Sequence, residues 1–172
     1  MEDKNKLTLL PYSIDYPKEF LRYQKKIFQQ LNDYNVEVHH IGSTSVEGLG
    51  GKGFIDILIG LPSWEKESDI IGKLKELGFT HVHPKENERT FLSKSPEDLE
   101  NYDAHLHLVI IGSRPYKEMK YFRDSLRNSP KLAREYFDLK LKLLKSTEAN
   151  RKVYAQEKAK FIERICKQTE LD

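Results

Sequence analysis

V-E-V-H-H-I-G-S-T-S-V-E-G-L-G-G-K-G-F-I-D-I-L-I-G-L, residues Val36 to Leu61, is the stretch on which the fold turns. Two apolar runs, Val36 to Ile41 and Phe54 to Leu61, flank a Gly/Ser-rich turn, and the second run carries one carboxylate, Asp56, between isoleucines. Gly42, Ser43 and Thr44 offer unencumbered backbone N–H groups and two hydroxyls at a strand end, a pattern suited to a phosphate group, with Asp56 opposite to hold a cation. The competing account is a Gly-rich hairpin with a surface aspartate. The stretch lacks the P-loop pattern G-x-x-x-x-G-K-[ST], because Gly53 follows Lys52.

Side chains alternate along a strand, so Ile55, Ile57 and Ile59 form a core face while Asp56 and Leu58 point to the solvent side. The same parity puts His105 and His107 on one face of the run Tyr102 to Ile111, with Leu106 and Leu108 on the other. Asp103 shares that parity, which makes it a candidate extra carboxylate, exposed near the strand start.

Helical patterns surround these runs. Residues 17 to 33 carry Phe20, Ile27, Phe28 and Leu31 near helical spacing, with Pro17 in the first turn. Ser63 is placed to cap a helix through Leu77, whose stripe is Ile70, Ile71, Leu74 and Leu77, and Gly78 is a natural stop. Short strands are expected at 79 to 83 and 88 to 93, followed by a polar loop over 94 to 101. Three helices close the chain at 113 to 127, 130 to 146 and 148 to 168, the middle one with Ser129 as cap and Pro130 at its first position. The reading is an α+β fold, a small mixed sheet with helices on one face and a three-helix C-terminal part.

At 172 residues, the chain fits one domain over 1 to 172. It is 38% hydrophobic and 33% charged, and no apolar run approaches the roughly 20 residues of a membrane span. The first residues lack the apolar core of a signal peptide, so the expected location is cytoplasmic. Cys166 is the single cysteine, which rules out an intrachain disulfide and points to a small packed hydrophobe in a helix. Net charge is +2, but 16 Lys+Arg stand against 9 Asp+Glu from Ser113 onward, a +7 balance in the C-terminal third. That third can collect a polyanionic ligand, or its lysines can be the solvated faces of amphipathic helices.

Gly-Ser after a strand, then an aspartate in a second apolar strand, resembles the signature of the nucleotidyltransferase superfamily with its polymerase-beta-like fold. More narrowly, His40 to Ile57 resembles the opening motif of the GrpB family, I-G-S-T-A-V-P-G-L-x-x-K-x-x-I-D-I. The segments Ala104 to Leu108, Phe122-Arg123-Asp124-x-Leu126-Arg127, Tyr136-x-x-x-Lys140 and Tyr154-x-x-x-Lys158 resemble that family's later motifs, in the same order. The resemblance spans nearly the whole chain.

It implies a nucleotidyltransferase-like protein acting on a nucleotide or phosphorylated metabolite, with a connection to coenzyme A through relatives joined to dephospho-coenzyme A kinase. Active members of the superfamily carry D-h-[DE]-h on the first catalytic strand and a third carboxylate on its neighbour, together holding two magnesium ions. Here Leu58 stands at the second position, and the histidine strand stands in the place of the third carboxylate. Asp56, His105 and His107 are therefore the candidate catalytic residues and the candidate ligands for one divalent metal, Mg, Mn or Zn. No organic cofactor is inferred. Gly42, Ser43, Thr44, Lys52, Arg89, Arg123 and Lys158 are the candidate substrate-binding residues, with the tyrosines at 136 and 154 assigned to packing. A non-catalytic module binding the same ligand is the alternative. The expected partner is a small phosphorylated molecule, not a membrane. RNA is disfavoured, because the sequence shows no aromatic-rich or established RNA-binding motif.

Overall fold

The computed structural model describes residues 9–95, 102–146 and 151–167. Five strands, β1 (Glu37–Ile41), β2 (Ile55–Leu61), β3 (His81–Glu86), β4 (Arg89–Ser93) and β5 (Ala104–Ile110), form one mixed sheet in the order β1-β2-β5-β4-β3. β2 and β5 run parallel at its centre, and the other pairs are antiparallel. The helices are α1 (Tyr16–Gln30), α2 (Glu67–Glu76), α3 (Arg114–Asn128), α4 (Pro130–Ser146) and α5 (Arg151–Cys166). The α+β expectation is met and all ten predicted elements are present, β3 running from His81 to Glu86 rather than over 79 to 83, while 148 to 150 and 168 of the last expected helix lie outside the described residues. The segment 96 to 101 of the expected polar loop lies outside the described residues.

Alternation along β2 and β5 builds the core. Ile55, Ile57, Ile59 and Leu61, with Leu106 and Leu108, are fully buried against Tyr23, Ile27 and Leu31 of α1 and its C-terminal turn and Ile70 and Leu74 of α2. Each such side chain contributes roughly 1.5–3 kcal/mol on burial. A second cluster joins Val46 and Leu49, just after the Gly-Ser turn, to Phe122 and Leu126 of α3, Tyr136 of α4 and Ile165 of α5. The C-terminal helices are thus fastened to the turn that carries the expected site. Cys166 is buried in that cluster, and burial pushes its thiol up to about 11, as an inert packed cysteine requires.

Two helix starts follow their sequence signals. Ser113 Oγ accepts from the Tyr116 N–H at 3.4 Å, and Ser129 Oγ accepts from the Leu132 N–H at 3.2 Å ahead of Pro130. Ser63 does not cap α2. Its hydroxyl accepts from Glu65 N–H at 3.4 Å in a turn that closes from Glu67 N–H to the Trp64 carbonyl, so the helix begins four residues later. α1 ends at Gln30 rather than 33, because the chain turns toward Asn35 at φ 49°. Among the described residues, no helix is long and apolar enough to cross a membrane.

Leu58 departs from its expected solvent-side setting. It is on the Asp56 face, as parity requires, but it is fully buried with Ile41, Val109 and Tyr116 under α3. Helix α3 packs on that face through Tyr116, while Asp56, His105 and Phe91 on the same face stay partly exposed. Strand alternation fixes direction, whereas burial depends on what packs above.

Candidate functional site

Asp56 and His105 are paired across the parallel β2–β5 ladder, and His107 sits two residues further along the same face. The Asp56 Oδ1 atom lies 3.5 Å from His105 Nδ1 and 3.4 Å from His107 Nε2. The expected convergence of the three side chains is therefore present. Burial pushes the Asp56 carboxyl up, but the hydrogen bonds and charge of the two imidazoles more than offset this, and it is held well below the usual carboxylate range. Burial lowers His107, against the opposing pull of Asp56, so its imidazole is neutral at neutral pH. Asp56 in its ionised form only accepts, so the hydrogen between it and His107 belongs to Nε2. His107 Nδ1 is buried without a hydrogen-bond partner among the described residues. His105 is more open, its side chain 26% exposed. A partly exposed imidazole oriented by a carboxylate, as His105 is by Asp56, has the layout of a general acid/base.

The Gly-Ser turn closes over Asp56. Gly42 has φ 69°, and a Cβ placed there would lie 2.4 Å from Asp56 Oδ2. Glycine is required on both counts, the left-handed backbone and the close approach. Gly42→Ala should lower stability by about 1–3 kcal/mol and displace the carboxylate, read as a fall in Tm. An unchanged Tm would show that the turn can relax away from Asp56. Ser43 to Ser45 then form one 3₁₀ turn, with Ser45 Oγ donating to the Gly42 carbonyl at 2.6 Å.

Lys140 of α4 is the residue that sequence reading missed. It is 2% exposed, with Nζ donating to the Gly50 carbonyl at 2.7 Å and to Ser43 Oγ at 3.0 Å. Gly51 makes room for this, since a Cβ there would meet Ser43 Cβ at 2.9 Å and Lys140 Nζ at 3.9 Å. Burial, then Lys158 and Lys52 against the pull of Asp56, lowers the ammonium to about 7. Lys140 forms no ion pair among the described residues. The Tyr136-x-x-x-Lys140 spacing was its only signal, and in a helix that spacing marks a shared face without saying what the face meets.

The remaining candidates divide. Lys52 and Lys158 stand over the Tyr154 ring, at 5.0 and 5.8 Å from its centroid, and both act electrostatically on Lys140. Arg89 lies close enough to His107 to depress it. Thr44 is buried, with Oγ1 2.9 Å from His40 Nε2. Arg123 donates to the His40 carbonyl at 3.2 Å and pairs with Asp124, while Arg127 donates to the Ser45 carbonyl at 2.8 Å. Both arginines thus brace the backbone of the turn. Asp103 does not join the histidines and is not exposed. Tyr102, at φ 62°, breaks the strand before Ala104, and the buried Asp103 carboxylate pairs with Lys94 at 2.6 Å and accepts from Tyr23 Oη at 3.3 Å.

The donor set does not fit the two-magnesium centre that the fold family implies. Asp56 is the one carboxylate of the cluster, Leu58 is sealed in the core, and among the described residues no group of three His, Cys, Asp or Glu side chains is arranged to hold a metal ion.

The sequence model of the family described as GrpB protein matches residues 6–168. The chain is 31% identical over 162 residues to a UPF0157 protein of Halalkalibacterium halodurans, covering 94% of this chain and 81% of that one. It is 26% identical over 166 residues to the glutamate-rich protein GrpB of Alkalihalophilus pseudofirmus, covering 95% of each. The crystal structure of the conserved protein GrpB from Enterococcus faecalis superposes with a TM-score of 0.79 at 25% identity, covering 94% and 96% of the two chains. The Cid1 poly(U) polymerase bound to MgATP matches with a TM-score of 0.53 at 13% identity over 76% of this chain and 42% of that one, a likeness of fold.

Proposed function

The chain belongs to the GrpB family and has a nucleotidyltransferase-like fold, and we propose that it binds the phosphate groups of a nucleotide or phosphorylated metabolite where the Gly-Ser turn meets helices α4 and α5. The observation that carries this reading is Lys140, a buried ammonium with two neutral oxygen partners and no carboxylate partner among the described residues. The Tyr136 and Phe137 rings face the ammonium at 4.8 and 5.8 Å, but burying a cation without an anion beside it costs stability, and a bound phosphate supplies that anion. Lys52 and Lys158 add cations that act on Lys140, and Ser43 Oγ offers a hydroxyl beside it.

Binding with acid–base chemistry at Asp56 and His105 is favoured over metal-dependent nucleotidyl transfer, because Leu58 occupies the position of the second carboxylate and lies in the core. The test is calorimetric titration with tripolyphosphate, ATP and coenzyme A, each with and without magnesium. The reading predicts binding of at least the polyphosphate-bearing probes without magnesium. Failure of all three to bind would contradict it.

A further inference from the structure

The open part of the Asp56 face is paved with rings drawn from three strands and the residue before β2. Phe54 stacks on His105 with ring centroids 4.1 Å apart and planes 13° apart. His105 meets the edge of Phe91 at 5.1 Å, Phe91 meets His83 at 4.9 Å, and His83 meets His81 at 4.6 Å. The chain of contacts runs unbroken from the Asp56 cluster to the edge strand β3. His81 and His83 are exposed, and Phe54, Phe91 and His105 are half-buried. Register explains the pavement: Phe91 of β4 pairs with His107 of β5 on one side and with His83 of β3 on the other, so alternate residues of each strand share the face.

Such a surface is costly to leave bare unless something covers it. Its chemistry selects the cover. The rings are alternately phenyl and imidazole, so the ribbon has flat faces with polar edges and is poorly matched to an aliphatic protein patch. Arg89, one β4 alternation from Phe91 on the same face, makes no ion pair among the described residues and acts electrostatically on His107. Partial burial, then the neighbouring His81 and His105, holds His83 below its usual value, so its ring is a neutral stacking surface at neutral pH. Flat faces beside a guanidinium suit a planar base joined to a phosphate.

We infer that the ribbon from Phe54 through His105 and Phe91 to His83 is a nucleobase-stacking subsite, with Arg89 as its phosphate partner, separate from the Ser43–Lys140 pair. It extends the phosphate reading above by giving the fold a second ligand position, on the acid/base side of Asp56. The aromatic platform that the sequence lacks as a contiguous motif is assembled by strand register. The base can arrive on a free mononucleotide or at the end of a single strand.

Binding of fluorescein-labelled hexa-adenylate RNA is followed by anisotropy, with unlabelled AMP and ribose 5-phosphate as competitors, for wild type, His83→Ala, Phe91→Leu and Arg89→Gln. Each ring variant should weaken RNA or AMP binding roughly tenfold, and Arg89→Gln should flatten the salt dependence by about one phosphate contact. AMP competing as well as unlabelled hexamer identifies a mononucleotide ligand, and a much tighter hexamer identifies a strand. Ribose 5-phosphate competing as well as AMP, ring variants binding like wild type, or no binding of RNA or AMP would each overturn the subsite. Tripolyphosphate, which has no ring, is titrated separately: binding of it without RNA or AMP sinks this inference alone, and RNA or AMP binding without it sinks the phosphate reading alone.

Discussion

Lys140→Met weakens tripolyphosphate binding by roughly a hundredfold, the cost of truncating one partner of a buried charge pair, while the protein stays folded. Methionine keeps the length and apolar stem of lysine, so Tyr136, Leu143 and the α4 packing are retained and only the ammonium is lost. The pH dependence gives an independent reading. The folded-state value of about 7 lies below the ordinary lysine value of 10.5, so between these limits the unfolded chain binds more protons than the folded one. Stability from this group therefore rises with pH from about 7 to about 10.5, and below about 7 its full penalty is present. Wild type should gain stability over that window in denaturant titrations, and Lys140→Met should not. Phosphate restores the missing charge, so binding takes up a proton in the same window and weakens as pH rises. Calorimetry in two buffers of different ionisation enthalpy measures that proton. Equal observed heats in the two buffers, or wild-type affinity in Lys140→Met, would remove Lys140 from the site.

Leu58→Asp is the second large effect, and it is destabilising. Read from parity alone, the substitution restores the D-h-D pair of a metal-dependent transferase on an open face. With Leu58 fully buried among Ile41, Val109 and Tyr116, the new carboxylate has no solvent and no cation partner in that cluster. The expected loss is about 3–5 kcal/mol, which at about 2–4 °C per kcal/mol lowers Tm by roughly 6–20 °C. Added magnesium should not recover it, since the new carboxylate is sealed in the apolar cluster with Ile41, Val109 and Tyr116, away from solvent ions. A variant as stable as wild type, or one rescued by magnesium, would mean that α3 does not seal this face and that a paired-carboxylate metal site is recoverable.

The two substitutions also show which links of the argument a sequence carries. The Asp56, His105, His107 convergence was legible because strand alternation is a local rule and the two strands are parallel neighbours in register. Asp103 was misread because the same rule fails where the strand breaks, and Tyr102 in a left-handed conformation leaves no mark in the residue pattern. Leu58 was assigned the correct face and the wrong environment, since the helix that covers it begins more than fifty residues later. Lys140 and the ring ribbon were hidden for a related reason: both depend on contacts between distant segments, the lysine on a loop 90 residues away and the rings on four separate stretches. Arg123 and Arg127 were visible as motif residues, but only the folded chain shows that they hold the carbonyls of His40 and Ser45.

The most direct measurement is a crystal structure of the protein grown with tripolyphosphate at neutral pH. The account predicts phosphate oxygens within hydrogen-bond distance of Lys140 Nζ and Ser43 Oγ, with Lys52 and Lys158 drawn in from the Tyr154 ring and no magnesium needed. Tripolyphosphate bound elsewhere, with Lys140 Nζ still bonded to Ser43 Oγ and the Gly50 carbonyl, would contradict it.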